Sequence, residues 1–222
     1  MKDKIKIGIV SDVVCPWCTI GYKRLEKAIA EMGIQDKVEI EWHPFELNPN
    51  MPVEGENVQE HIANKYGASL EDQKRSQEHM TQVGAELGFK FDYFDDMKIV
   101  NTRDAHILLE YAKEKGKQTA LKMRLVASFF SERKDVSKRE VLKHALQDVG
   151  LNADEALLKL ESDDARYEVQ TKEAYWQNLG VTSVPTIVFN QKSAVTGAQP
   201  VAVFKEVLTE LLQEADANEK NE

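Results

Sequence analysis

"SDVVCPWCTIGYKRLEKAIAEMG" (Ser11–Gly33) contains both cysteines of the chain, Cys15 and Cys18. Two residues separate them, and Tyr22, Leu25, Ile29 and Met32 follow at spacings of three and four. That is one face of a helix, with Gly33 placed to end it in a left-handed C-cap. Upstream, "KIKIGIV" (4–10) alternates and puts Ile5, Ile7 and Ile9 on one side, the pattern of a strand. Downstream, "VEIEWHPF" sets Val38, Ile40 and Trp42 against Glu39, Glu41 and His43, a second strand with one buried face that stops at Pro44. Strand, CxxC, helix and strand with short connections predict a βαβ unit, hence a parallel strand pair.

Three readings of the cysteines compete. A structural zinc site needs four ligands, and the two thiols supply half. His43, His61, His79, His106 and His144 show no pair at short ligand spacing. A purely structural disulfide here would close a loop too short to constrain the unfolded chain much. The third reading is a redox dithiol, for which CxxC beside a βαβ pattern is the signal. Cys15 falls just before the helix, where unpaired N–H groups and the helix dipole favour an anion, and a thiolate is the reactive form. Cys18 lies one turn in, within reach of a mixed disulfide on Cys15. Pro16 suits the first helical turn. Trp17 is expected at the surface beside the sulfurs, and Pro16 and Trp17 are candidate substrate contacts. Asp12 would oppose a thiolate if it lies near.

The rest of the chain is a helical stretch closed by strands. Residues from about 58 to 87 read as helix, followed by an aromatic connector, 88–94. "TRDAHILLEYAKEKG" carries the stripe Ala105, Leu108, Leu109, Ala112. "QTALKMRLVASFFSER" carries Leu121, Leu125 and Phe129. Ser137 with Glu140 three residues on is a capping-box pattern, and 163–179 is helical. "PTIVFN" (Pro185–Asn190) and "SAVTG" (193–197) read as a hairpin turned at Gln191–Lys192. A last helix has Pro200 in its first turn and Val203, Val207, Leu208 and Leu211 on one face. The acidic tail from Glu214 to Glu222 is expected to fray. The organisation implied is an α/β fold interrupted by helices. Residues 1–48 and 165–222 form one domain, and 49–164 an inserted all-helical domain.

With 222 residues, 42% of them hydrophobic, the chain can bury a real core. The net charge of −9 argues against nucleic acid. Lys113, Lys115 and Lys117 are interrupted by Glu114 and read as a solvated helix end. No apolar run approaches the roughly 18 residues of a membrane span. Lys6 splits the apolar start, so no signal peptide is read, and a cytoplasmic protein is expected. Asn48, Asn101 and Arg103 are weaker candidates for a cleft lining. Asn101 or Thr102 could equally cap a helix, His106 reads as structural, and Trp42, Phe45 and Trp176 as packing.

The ordered set "SDVVCPWCTIG", "WHPFELNP", "NTRDAHILLEYAKEKGKQ" and "VTSVPTIVFN" resembles the DsbA family of thioredoxin-like oxidoreductases, in particular its FrnE-like, cytoplasmic branch. The resemblance runs from about Lys4 to Leu212. It implies a thioredoxin-like fold with a helical insertion. It makes Cys15 the nucleophile, Cys18 the resolving thiol and Val184-Pro185 a cis-proline loop facing them, whose backbone binds substrate. It implies protein thiol or disulfide substrates, an oxidising or reducing partner, and no metal or cofactor beyond a small thiol such as glutathione. Some FrnE-like proteins have a second CxxC near the C-terminus, and this chain has none. Kappa-class glutathione transferases and 2-hydroxychromene-2-carboxylate isomerases resemble it in "FELNP" and in the insertion. They typically carry serine where Cys15 stands. Monomer and homodimer are both open.

Overall fold

A computed structural model describes residues 4–219. The first strand, β1 (Ile5–Ser11), has Ile5, Ile7 and Ile9 buried as the alternation requires. Helix α1 (Pro16–Met32) follows and ends at Gly33, whose φ of 65° is the left-handed conformation that glycine adopts without strain. Strand β2 (Val38–Pro44) then pairs parallel with β1, Ile7 opposite Ile40 and Ile9 opposite Trp42. Near the C-terminus, β5 (Thr186–Phe189) pairs antiparallel with β1, and β6 (Ser193–Thr196) with β5, giving the order β2-β1-β5-β6. The hairpin turns at Asn190 and Gln191, both at positive φ, so the turn starts one residue earlier than its sequence suggests.

Between the two halves of this sheet lie a two-residue strand pair and seven helices. Strand β3 (Glu56–Asn57) pairs with β4 (Lys98–Ile99). The stretch read as one helix is two, α2 (Val58–Tyr66) and α3 (Leu70–Glu86). Gly67 at φ 67° ends the first, and the Ser69 hydroxyl caps the second. Then come α4 (Arg103–Glu114), α5 (Gln118–Phe130), α6 (Arg139–Asp148), α7 (Ala153–Leu158) and α8 (Asp163–Asn178). The stripes on α4 and α5 are buried as expected. The capping box is not formed. Ser137 donates its N–H and hydroxyl to Asp135 at 2.8 and 2.6 Å, and α6 starts two residues later behind Lys138 with no side-chain cap. A nearer acceptor captured the serine, as short polar side chains allow.

The last helix, α9 (Val201–Glu219), does not fray where its acidity suggested, as it continues to Glu219. Residues 220–222 of the tail lie outside the described part. Pro200 stands just before this helix and accepts from Phe204 N. The face turned to the sheet is centred on Phe204 and Leu208, both fully buried, with Val207 and Leu211 at its margin and Val203 off it. The lysines at 113–117 lie at a solvated helix end, as read. Lys113 and Lys115 are exposed and pair at the surface with Glu41 and with Glu155 at 3.0 Å, and the half-buried Lys117 donates to Val149 O at 2.6 Å.

Buried apolar side chains form two clusters. One joins the sheet to α1 and α9 through Ile7, Ile9, Leu25, Ile29, Trp42, Ile187, Phe189, Phe204 and Leu208. The other fills the helical layer around Leu108, Leu121, Leu125, Leu142 and Leu146, and it includes Val13, Val14 and Ile20. The segment carrying the cysteines is therefore packed on the helices, while the rest of α1 is packed on the sheet. The edge of β2 is sealed by Gln118. Its amide accepts from Trp42 N and donates to Trp42 O, both at 2.9 Å, in place of a neighbouring strand.

Candidate active site

Cys15 is the N-cap of α1, and its sulfur accepts from Cys18 N at 3.2 Å. Pro16 occupies the first turn, where the absence of an N–H costs nothing. Both cysteines are free thiols. Cys18 is sealed at 2% exposure and Cys15 nearly so at 4%, but Trp17 between them stands 36% exposed. Opposite lies the segment before β5. The Val184-Pro185 bond is cis, and Cys15 Sγ lies 4.0 Å from Val184 O. Pro185 is held by its carbonyl accepting from Gly197 N at 2.8 Å. Its ring comes so close to α1 that a Cβ on Gly21 would lie 3.1 Å from Pro185 Cγ, so glycine is what admits the loop. The structure thus brings Cys15, Pro16, Trp17, Cys18, Val184 and Pro185 to one place.

Beneath the dithiol is a buried charged layer that sequence reading did not assemble. Asp12 Oδ1 accepts from Val13 N at 2.7 Å and lies 3.2 Å from His106 Nε2, and Oδ2 accepts from Leu47 N at 2.8 Å. Burial alone would raise this carboxyl. The His106 contact, the Leu47 N–H and nearby Lys122 overcome it and hold Asp12 below the usual range. Asp12 is therefore a bound anion, its oxygens turned to these partners. Burial pushes the Cys18 thiol up, Cys15 adds to this, and Lys122 opposes it. Burial pulls Lys122 down.

Glu46 and Glu173 extend the layer. Arg103 Nε donates to Glu46 Oε1 at 2.8 Å, and Glu46 N donates to Glu173 Oε1 at 2.6 Å. Burial and the neighbouring Glu46 raise Glu173 to about 7. A carboxyl raised on folding contributes stability that is complete below its unfolded pKa, about 4.3, and that is lost as pH rises through its folded value. Glu173→Gln keeps an amide oxygen for Glu46 N and removes the titration. The loss of stability between pH 5 and pH 8 is expected to shrink in this variant by at most about 3 kcal/mol. Urea denaturation of both proteins at the two pH values measures it, and identical pH dependence would refute the assignment.

The helical insertion covers the dithiol from the other side. The His79 ring lies 6.1 Å from that of Trp17. Tyr93 donates its hydroxyl to Met80 Sδ at 3.6 Å, and burial together with Cys15 raises its phenol. Asn48, Asn101 and Arg103 serve the scaffold. Asn48 accepts from Lys65, Asn101 from Arg103 N, and Arg103 pairs with Glu46. His106 is the buried partner of Asp12, and Trp42 and Trp176 are packed, as their positions suggested, whereas Phe45 is only half-buried. Sequence reading gave no role at this site to Lys122, Glu46, Glu173, His79 or Tyr93, and none has a local signal. Among the described residues no cluster of His, Cys, Asp or Glu is arranged for a metal, and no helix is long and apolar enough to cross a membrane.

A sequence model of the DSBA-like thioredoxin domain family matches residues 6–209. The chain belongs to that family. It is 32% identical to SCO1869 of Streptomyces coelicolor, a probable DsbA oxidoreductase whose crystal structure superimposes with a TM-score of 0.88 over 95% of this chain and 91% of that one. It is 25% identical over 209 residues to the uncharacterized protein YwbO of Bacillus subtilis (strain 168), covering 93% of this chain and 96% of that protein. The fold is shared with the cytosolic disulfide reductase DsbM of Pseudomonas aeruginosa, solved with GSH. That match has 18% identity and a TM-score of 0.66, over 94% of this chain and 99% of DsbM. A 2-hydroxychromene-2-carboxylate isomerase has the same fold at 16% identity and a TM-score of 0.69, over 96% of this chain and 98% of that one. The thioredoxin-like fold with its helical insertion is thus a family property, and the fold alone does not separate redox from isomerase chemistry.

Proposed function

We propose that this protein is a thiol–disulfide oxidoreductase, of the FrnE-like branch, acting on protein disulfides and dithiols through Cys15 and Cys18. The observation that supports it best is the placement of Cys15 at the start of α1. Its sulfur accepts the Cys18 N–H and faces the Val184 carbonyl. The thiolate is the attacking form of a cysteine, and this position sets the sulfur against the cis-proline loop. In the reducing direction the Cys15 thiolate attacks a substrate disulfide. One substrate thiolate leaves, and a mixed disulfide forms. Cys18 then attacks Cys15, the second substrate thiolate leaves, and the two cysteines end as a disulfide. The oxidising direction is the reverse.

Trp17 and Pro16 offer substrate an apolar rim, and the backbone at Val184-Pro185 offers an extended chain its polar groups. The isomerase and transferase alternative is weaker on one point. The relatives with that chemistry typically lack the paired thiols that stand here. The redox partner is proposed to be glutathione or another small thiol, in keeping with the glutathione-bound DsbM, and the location the cytoplasm. The deciding measurement is the reduction potential of the Cys15–Cys18 pair against glutathione, with insulin reduction alongside. Potentials of such pairs span about −270 to −120 mV. A value near the lower end with insulin reduced marks a reductase or isomerase, and a value near the upper end an oxidant. Failure to form any disulfide would overturn the proposal.

A further inference from the structure

Lys122 is out of place by ordinary rules. It sits on α5 one turn after Gln118, the residue that seals Trp42, and is 2% exposed. Its Nζ has no hydrogen-bond partner among the described residues and lies 5.1 Å from the centre of the Trp42 ring. Buried lysines are normally paired, because an isolated ammonium costs several kcal/mol to desolvate. The groups that interact with Lys122 are Cys18 and Cys15 on α1 and Asp12 at the end of β1. From α4 comes His106, which is engaged with Asp12. From β2 comes the face of Trp42.

Resolution needs a base in this spot. Cys18 must lose its proton to attack a mixed disulfide on Cys15, yet it is closed off from solvent and its burial favours the thiol. Two internal groups could take the proton. Asp12 is a poor acceptor, since two backbone N–H groups and His106 already hold it as an anion. Lys122 has nothing else to bond. Burial favours its neutral amine, and Asp12 and the Trp42 face are in place to stabilise the ammonium once it forms.

We propose that Lys122 is the proton acceptor for Cys18 in the resolving step. This rests on the oxidoreductase reading. The neutral amine takes the proton of the Cys18 thiol, and the sulfur's electron pair forms the bond to Cys15 Sγ. The bond from Cys15 to the substrate sulfur breaks, and its electron pair leaves with the substrate thiolate. The substrate disulfide gains two electrons and the protein dithiol loses two. The ammonium later returns its proton to water. In the oxidising direction the ammonium protonates Cys18 as it leaves.

The test uses the reduced full-length protein and 5,5′-dithiobis(2-nitrobenzoate). Attack by Cys15 releases one coloured thiolate and leaves a mixed disulfide. Resolution by Cys18 releases the second, so one absorbance trace times both steps. Lys122→Met keeps the length of the side chain and removes the amine. The second step is expected to slow about 10²-fold relative to the first at pH 7, the low end of what a positioned base contributes. The gap should narrow towards pH 9.5, where hydroxide substitutes for the amine. Lys122→Gln should behave alike, and it serves if Lys122→Met fails to fold. A second step with unaltered rate and pH profile in either folded variant overturns the proposal, as does equal slowing of both steps at every pH. No first step in the unaltered protein would instead defeat the oxidoreductase reading itself.

Discussion

Cys15→Ser is expected to abolish disulfide exchange to background, whereas Cys18→Ser is expected to stop halfway and accumulate a protein–substrate mixed disulfide. The asymmetry comes from placement. Cys15 caps the start of α1 and faces the half-buried Val184, while Cys18 lies one turn further in at 2% exposure. Cys15 is therefore the sulfur assigned to meet substrate first. A serine hydroxyl stays protonated and is too weak a nucleophile for a disulfide, so the first variant has no first step. The second variant keeps that step and loses the attack that clears the adduct. Mass spectrometry under non-reducing conditions, after mixing with a disulfide-bonded peptide, reads both outcomes. A single peptide thiol should appear on Cys18→Ser and none on Cys15→Ser. Full turnover by Cys15→Ser, or an adduct on its Cys18, would reverse the roles assigned here.

Features written within a few residues were legible before any coordinates. The alternation of Ile5, Ile7 and Ile9, the stripe ending at Gly33 and the CxxC between them gave the parallel pair and the dithiol. The Val-Pro before "TIVFN" reads alone as the start of a strand, and only the family resemblance made it the loop opposite. Where a local pattern had a local competitor, it misled. Ser137 looked like a cap, but Asp135 two residues back took its hydrogen bonds. Where a residue carried no pattern of its own, it was not singled out. Lys122 sits among "ALKMRLVAS", beside the buried Leu121 and Leu125, and looks like any helix lysine. Its burial follows from Gln118 locking α5 onto the edge of β2. The Glu46–Glu173 contact joins residues 127 positions apart and has no trace in either neighbourhood. The dithiol was therefore readable, and its supporting layer was not. That layer is made of polar residues from five separate segments, each of which is ordinary alone.

Asp12 tests that layer as a structural unit. Asp12→Ala is expected to destabilise the protein by about 3–5 kcal/mol, the usual result of removing one partner from buried paired charges. At about 2–4 °C per kcal/mol for a chain of this size, the melting temperature should fall by roughly 6–20 °C. Three losses coincide. Val13 N and Leu47 N lose their acceptor, His106 loses its buried partner, and Lys122 loses the carboxylate that favours its ammonium. The pH dependence has a definite sign. Asp12 is held below the ordinary carboxylate range, so its contribution is complete above an unfolded pKa of about 3.9 and is lost as pH falls through the lower folded value. The gap between Asp12→Ala and the unaltered protein should be widest at neutral pH and should close in strong acid. Asp12→Asn, which keeps an acceptor oxygen but no charge, should fall between the two. Denaturant titrations at pH 7 and pH 3 would show this. A gap that persists undiminished at the lowest pH would mean that Asp12 acts by shape rather than by charge. Its charge also bears on chemistry. Without the anion the Lys122 ammonium is harder to form, so a folded Asp12→Asn protein should resolve mixed disulfides more slowly while still forming them.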